Sequence, residues 1–184
     1  PGASGSSTSI ADGKAVPSQG WYFNTRRKQF RDARIREALA LAFDFEWTNL
    51  NIMYNTCKRT ESFFENTPMK AIGKPGPAEL KLLEKWRGRV PAEVFGEPWV
   101  PPKSDGSGSD RSLLRKANGL LLAAGCKRRG RQLLLPDGTP FEMEFLDSSG
   151  SLKPHTEPYQ ANLLKLGIAS TIRIVDAAQY KRRL

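Results

Sequence analysis

Cysteine and histidine are nearly absent from this sequence of 184 residues, which holds two cysteines and one histidine. Cys57 and Cys126 show no Cys-x-x-Cys spacing, and this excludes a zinc ribbon or a thioredoxin-type redox motif. His155 has no second histidine and no nearby cysteine with which to share a zinc ion. The sequence therefore predicts no metal site. It leaves open whether the cysteines form one disulfide or stay as two half-buried thiols.

Long hydrophobic runs are also missing. No stretch approaches the roughly 18 consecutive apolar residues that a membrane-spanning helix needs. The opening residues lack the charged and then apolar pattern of a secretory signal peptide, so the ends of the chain do not indicate a compartment. Apolar residues still make up 39% of the sequence, which is enough to build a buried core.

Catalytic and cofactor motifs are absent as well. The sequence has no Gly-x-Ser-x-Gly elbow, no phosphate-binding P-loop and no Gly-x-Gly-x-x-Gly turn after a strand. A hydrolase triad uses the residue types found at Asp147, Ser148 and His155. Because the Gly-x-Ser-x-Gly elbow is missing, we interpret their closeness in sequence as chance. The sequence therefore predicts a protein that is not an enzyme and that carries no cofactor.

Positive charge is abundant, because 29 lysines and arginines face 19 acidic residues and give a net charge of +10. Such a balance is typical of proteins that bind nucleic acid or anionic membranes. The basic clusters at residues 26–28, 127–131 and 181–183 lie far apart in sequence and lack the interleaved aromatic residues that stack on bases. We expect three separate solvated surfaces. A small basic nucleic-acid-binding module remains the alternative.

The first half of the chain has one clear helix. Residues 1–19 are rich in glycine, serine and alanine and read as a flexible lead, and residues 21–24 suit a short buried strand. Asp32 is a plausible N-cap for an amphipathic helix that runs to Asp44 and buries Ile35, Leu39 and Phe43. A second helix is predicted at residues 45–54.

Residues 56–110 form a proline-rich excursion in which only residues 78–86 are convincingly helical. A stretch of this length is usually either disordered or functional. Because it contains aromatic residues such as Phe63 and Phe64, we expect an ordered excursion that packs on the domain.

The remainder reads as helix, hairpin, helix, strand and helix. Asp110 begins a helix that ends before Gly125, and residues 131–135 and 140–146 read as two strands joined by a turn. Residues 148–153 form a polar loop before a helix at 157–166, a strand at 168–175 and a last helix from residue 177. This order predicts an α/β or α+β domain with a small mixed sheet flanked by helices.

Several segments together resemble a signature of bacterial extracellular solute-binding proteins, family 5. Residues 23–27, residues 30–39 and Asp44 resemble the family's "N-T-x-x-x-P-F-x-D-x-R-V-R-x-A-L-x-x-A-x-D" pattern. Residues 113–125 resemble its "K-A-x-x-L-L-x-x-A-G" helix, and residues 164–180 resemble its "L-x-x-L-G-I … V-D-x-x-x-Y" segment. Residues 59–66, together with residues 105–108, look like the branch of the microcin C and oligopeptide importer.

The resemblance implies that residues 20–184 are a partial C-terminal lobe of a type II (cluster C) periplasmic binding protein. Such proteins close two lobes around an oligopeptide and deliver it to the permease subunits of an ABC transporter. In the family an arginine before the last long helix often meets the peptide carboxylate. The matching residues 149–155 contain no arginine, and only Lys153 supplies a nearby positive charge.

The candidate cleft wall implied by this resemblance combines adaptable polar groups with two aromatic side chains. Phe63 and Phe64 read equally well as ordinary core residues. With the N-terminal lobe missing, we expect a periplasmic protein segment that binds peptide weakly by itself and self-associates through its exposed lobe face. A structural or interaction module is a third class. The candidate residues are Phe63, Phe64, Asn66, Ser148, Ser149, Ser151 and Lys153.

Overall fold

The computed structural model describes residues 19–183. The flexible lead predicted for residues 1–19 therefore lies almost wholly outside the described residues, as does Leu184. The chain divides into two compact units. Gly20–Arg59 and the residues from Pro101 onward form the larger one, and Thr60–Val100 forms the smaller one.

The larger unit contains most of the regular structure. Its helices are α1 (Ala33–Leu41), α2 (Phe45–Asn51), α4 (Arg111–Ala123), α5 (Lys153–Lys165) and α6 (Ala177–Arg183), and its strands are β1 (Lys127–Arg129), β2 (Gln132–Leu134), β3 (Glu142–Asp147) and β4 (Ala169–Ile174). The smaller unit contributes α3 (Pro77–Leu83) and 3₁₀ turns at Glu84–Trp86 and Ala92–Phe95.

Helix α1 confirms the clearest prediction from the sequence. The Asp32 carboxylate accepts a hydrogen bond from the backbone N–H of Arg34 at 2.8 Å, which satisfies one of the free amides of the first turn. Ile35 and Leu39 are buried in the core between α1 and α4. Phe43 lies beyond the helix end and is only half buried, so the expectation that it is inaccessible was wrong.

The strands form two pairs. β1 and β2 are antiparallel, whereas β3 and β4 are parallel, with Glu142 beside Ala169 and Asp147 beside Ile174. Of the hairpin predicted for residues 131–135 and 140–146, the structure contains one antiparallel β-bridge, between Leu134 and Pro140. The strand predicted at residues 21–24 was wrong, because this segment has no strand or helix in the structure.

Gly167 brings the end of α5 against β2. Its φ of +81° is the left-handed conformation that glycine adopts without strain. A Cβ atom there would lie 2.7 Å from the carbonyl oxygen of Arg131. The Gly167 carbonyl in turn accepts a hydrogen bond from the Leu133 N–H at 2.8 Å. This close approach of two backbones accounts for the Leu-Gly-Ile sequence at residues 166–168.

Asp44 joins α2 to the loop before α4. Its Oδ1 accepts hydrogen bonds from the Trp47 N–H at 2.9 Å and from the Ser104 hydroxyl, and its Oδ2 accepts one from the Gly108 N–H at 2.9 Å. Glu46 Oε2 accepts a hydrogen bond from the Ser104 N–H at 2.9 Å and shares the single hydroxyl proton of Ser104 with Asp44. Burial acts to raise the pKa of Glu46, but the bonds from Ser104 outweigh it and hold that pKa below its ordinary value.

Arg59 ties the two ends of the Thr60–Val100 segment together. Its Nη1 donates to the Pro102 carbonyl at 3.1 Å and its Nη2 to the Ala40 carbonyl at 3.4 Å. The guanidinium also lies 6.0 Å from the centroid of the Phe45 ring. Burial lowers the pKa of Arg59, and the nearby Glu46 and Asp44 charges oppose that shift.

The two cysteines are free, Cys57 exposed and Cys126 buried, which removes the disulfide alternative. Burial raises the pKa of the Cys126 thiol, and a thiol is much less nucleophilic than a thiolate.

We expect one equivalent of a thiol reagent to react rapidly with the native chain, at Cys57, and a second only after unfolding. Rapid labelling of both thiols under native conditions, followed by mass spectrometry, would contradict this burial.

Candidate ligand-binding site

The site is centred on the loop that follows β3. β3, α5 and β4 form a β–α–β unit with parallel strands. In open α/β sheets, ligands bind beyond the carboxyl ends of the strands. Residues 148–152 occupy that position, because they connect Asp147 at the end of β3 to Lys153 at the start of α5. The sequence predicted a polar loop here.

Hydrogen bonds within the loop hold its serines in place. The Ser149 N–H donates to Asp147 Oδ1 at 3.1 Å, and the Ser149 and Ser151 hydroxyls are 2.8 Å apart. Gly150 has a φ of +74°, and a Cβ there would lie 3.0 Å from Ile174 Cδ1. Glycine therefore allows the chain to turn tightly over the end of β4. Ser148, Ser149 and Ser151 are exposed, so each hydroxyl is accessible.

An aromatic cluster fixes both ends of the loop. Phe145 precedes the loop on β3 and Tyr159 follows it on α5, and their ring centroids are 5.5 Å apart. Trp21 lies 5.1 Å from Tyr159 and 5.0 Å from Phe43, with an edge-on contact in the second pair. The buried Tyr159 hydroxyl donates to the Leu39 carbonyl at 2.8 Å. Burial raises the pKa of Tyr159, so this side chain stays neutral.

Two polar atoms beside the loop have no partner. Asp147 Oδ2 and His155 Nδ1 are buried and accept or donate no hydrogen bond within residues 19–183. Buried polar atoms are normally satisfied, and an exception calls for a ligand, a water or a missing partner. Sequence reasoning considered this Asp and His only as parts of a chance triad and missed their role as free polar positions.

Lys153 begins α5 with an exposed side chain. Its Nζ lies 3.6 Å from the Glu157 carboxylate one turn later. Both side chains are 57% exposed, and such surface pairs contribute little to stability. The ammonium therefore remains available to another anion.

Phe63, Phe64 and Asn66 belong to the smaller unit, whereas the serines and Lys153 belong to the larger one. Phe63 is 85% exposed and Phe64 47%, so the alternative interpretation of both as core residues was wrong. Asn66 is also exposed and has a φ of +57°. A local network supports this turn, because Lys70 Nζ bonds to Glu61 at 2.9 Å and to Glu65 at 3.0 Å.

The basic clusters are distributed over different elements. In residues 26–28, Lys28 pairs with Asp137 at 2.5 Å. In residues 181–183, Arg183 lies 3.9 Å from Glu144. The concavity that the structure does show is lined by Arg128 from the middle cluster and by no residue of the other two. This distribution gives the nucleic-acid alternative no support.

Within residues 19–183, no helix has the length and hydrophobicity to cross a membrane. The same residues bring together no group of three or more His, Cys, Asp or Glu side chains able to hold a metal ion.

The fold matches part of two larger solved structures. A structure of NikZ from Campylobacter jejuni in complex with Ni(L-His) aligns with a TM-score of 0.57 at 18% identity over 84% of this chain and 25% of that one. The oligopeptide-binding protein AppA from Bacillus subtilis, in complex with a nonapeptide, aligns with a TM-score of 0.56 at 19% identity over 87% and 26%.

Family membership follows from the sequence. The family described as bacterial extracellular solute-binding proteins, family 5 Middle, matches residues 5–184, and the chain belongs to it. A putative binding protein of Brucella melitensis is 43% identical over 93% of this chain and 28% of its own length. In Agrobacterium fabrum, a probable peptide-binding protein YejA is 37% identical over 87% and 26%, and a peptidoglycan-binding protein YepA is 36% identical over 89% and 27%. The chain thus spans little more than a quarter of these relatives.

Proposed function

We propose that this chain is part of the C-terminal lobe of a periplasmic oligopeptide-binding protein that serves an ABC importer. The observation that carries the proposal is the serine-rich loop at the carboxyl end of β3, in a chain of the solute-binding family. Its accessible hydroxyls suit a ligand whose backbone is constant and whose side chains vary, because small polar groups adapt to different partners. The names of the Agrobacterium relatives, for peptide and for peptidoglycan, share a peptide component.

The unsatisfied atoms beside the loop support a site that another part of the protein or a ligand completes. Asp147 Oδ2 can accept a hydrogen bond from a peptide amine or amide, and His155 Nδ1 can donate or accept one. Lys153 supplies a positive charge for a carboxylate. We propose that Phe63, Phe64 and Asn66 of the smaller unit also contact the ligand. Within the family, we propose that the chain belongs to the branch of the microcin C and oligopeptide importer and that its ligand is an oligopeptide.

The exposed apolar side chains of the smaller unit support a role within a longer protein. Ile72 is 84% and Trp99 59% exposed, and large apolar side chains of this kind become buried when another part of a protein covers them. We propose that an N-terminal lobe covers this surface and closes over the ligand by a hinge motion. Permease subunits would then recognise the closed form. Without that lobe, we expect the same surface to drive self-association.

The proposal predicts weak peptide binding by this chain alone, because only one wall of the cleft is present. Isothermal titration with mixed short peptides should show no sub-micromolar affinity. Sub-micromolar binding would mean that the site is complete within this chain, and the half-site interpretation would fail.

A chimera supplies the positive test. The equivalent segment of the Agrobacterium peptide-binding relative is replaced by this chain, and binding of peptides and of muropeptides is measured. We expect binding to be retained and to weaken about tenfold in Lys153→Ala if a carboxylate is recognised. Glu157→Ala, which removes the exposed partner of Lys153, is the matched control and should change affinity less than about twofold. A folded chimera that binds neither ligand class would contradict the proposed function.

A further inference from the structure

A basic concavity of about 760 Å³ lies on the larger unit, formed by α4, β1 and the C-terminal end of α5. Its volume falls within the range of small-molecule sites. None of the described residues that line it is acidic, and its floor includes the apolar Leu114 and Leu166. Four positively charged side chains line it: Arg111, Arg115, Arg128 and Lys165.

Neutral partners hold two of these charges in place. The Arg128 guanidinium donates to Asn118 Oδ1 at 2.7 Å and to the Leu166 carbonyl at 3.3 Å. Lys165 Nζ donates to the Ser109 hydroxyl at 2.6 Å and to Asn162 Oδ1 at 3.3 Å. Amide, carbonyl and hydroxyl oxygens orient the two cations without neutralising them. Both therefore keep their charge, together with N–H groups that are free to bind a ligand.

The other two charges are unpaired within residues 19–183. Arg111 and Arg115 are one turn apart on the exposed face of α4 and form no hydrogen bond or ion pair there. Asp110, the nearest carboxylate in sequence, is already occupied by the backbone amides of Asp105, Ser112 and Leu113. Two arginines at this spacing repel each other, so an anion between them would be favourable.

We infer that this concavity binds a phosphate-bearing ligand. A carboxylate carries one negative charge and two acceptor oxygens, whereas a phosphate monoester carries up to two charges and three terminal oxygens. A group of four convergent cations matches the second better, and arginine pairs with phosphate through two parallel hydrogen bonds. The partly exposed Leu114 provides an apolar contact for the part of the ligand that carries the phosphate.

The inferred site is separate from the proposed peptide cleft. None of its lining residues lies in residues 148–153, and the two sites use different ends of α5. The outcome of the peptide experiments therefore neither supports nor contradicts this inference, which has its own test.

Pyrophosphate is the soluble probe. We expect the unmodified chain to bind it at moderate salt, and the double variant Arg111→Gln/Arg115→Gln to bind it at least about tenfold more weakly, since charge-assisted hydrogen bonds are lost. Both positions are on the helix surface, where glutamine is an equally good helix former. Calorimetry at fixed ionic strength measures the change, and circular dichroism confirms the fold.

The control double variant is Arg27→Gln/Arg182→Gln. It removes the same net charge from two exposed positions that do not line the concavity. We expect its affinity for pyrophosphate to change less than twofold. Equal weakening in both double variants would show a general charge effect and overturn the site, as would the absence of any binding to pyrophosphate and to vesicles.

Two further arms identify the source of the phosphate. Sedimentation with phosphatidic acid vesicles, whose headgroup is a phosphate monoester, against phosphatidylcholine vesicles, tests a lipid headgroup. Binding to the first that depends on Arg111 and Arg115, with weak pyrophosphate binding, would assign the site to an anionic membrane surface. Tight pyrophosphate binding that depends on Arg111 and Arg115, with weak vesicle binding, would assign the site to a soluble phosphate ester. Citrate binding as tight as that of pyrophosphate, with the same dependence on the two arginines, would refute the preference for phosphate.

Discussion

Replacing Leu39 with alanine should destabilise the chain by about 2–5 kcal/mol, because a buried leucine leaves a cavity that its neighbours fill only in part. Leu39 is completely buried on α1. Its carbonyl also accepts the hydrogen bond from the Tyr159 hydroxyl, so a shift of this residue disturbs the aromatic cluster that holds the ligand loop. Equilibrium unfolding in urea measures the loss.

Leu50→Ala is the matched control for this substitution. Leu50 is also on a helix, α2, but its side chain is 63% exposed. We expect its free energy of unfolding to change by less than about 0.5 kcal/mol. A loss below about 0.5 kcal/mol for Leu39→Ala, indistinguishable from the control, would contradict the burial of α1.

Asp44→Ala should cost about 3 kcal/mol or more. The substitution removes the cap of α2 and leaves the Gly108 N–H without its acceptor, while the Ser104 hydroxyl keeps only its bond to Glu46. An unsatisfied buried donor costs about 1–3 kcal/mol, and loss of a cap adds about 1 kcal/mol. The buried Arg59 also loses a compensating negative charge. Thermal and urea unfolding both report the change.

Asp32→Ala is the matched comparison, because it distinguishes the loss of the buried Asp44 carboxylate from the loss of an ordinary helix cap. Asp32 caps α1 in the same way, but it lies near the surface beside Arg34, and its replacement should cost about 1 kcal/mol. Asp44→Asn should fall between the two alanine variants, because an amide offers one acceptor and one donor where both carboxylate oxygens accept. Equal losses for Asp32→Ala and Asp44→Ala would show that the contacts to Ser104 and Gly108 contribute nothing.

Helices with regular apolar spacing were predictable from the sequence. Asp32 and Asp110 were identified as N-caps, and Gly125 as the residue after α4, because local hydrogen bonding and backbone conformation decide these positions. The start of α5 was placed four residues too late, at 157 rather than Lys153. Pro154 lies in the first turn of α5, where a proline has no backbone hydrogen bond to lose, whereas Pro158 lies inside the helix.

Strand pairing was less predictable, because it depends on contacts between distant residues. The turn at residues 136–139 indicated a hairpin, and the structure retains its first backbone hydrogen bonds, from the Phe141 N–H to Leu133 and from the Leu135 N–H to Thr139, but β3 pairs with β4 beyond α5. The candidate ligand loop was located correctly after β3. The group formed by Arg111, Arg128 and Lys165 was not recognised, because its members come from three elements that meet only in the folded chain.

The bond from Arg59 to the Pro102 carbonyl bears on how the sequence can change over evolutionary time. Because the two ends of the Thr60–Val100 segment are held together at its base, insertions or deletions between them change the loop-closure entropy by only a few tenths of a kcal/mol. Lineages can therefore alter this stretch in length and composition while the packing of α1, α4 and α5 is preserved. We expect related sequences to diverge most in length between these two anchor residues.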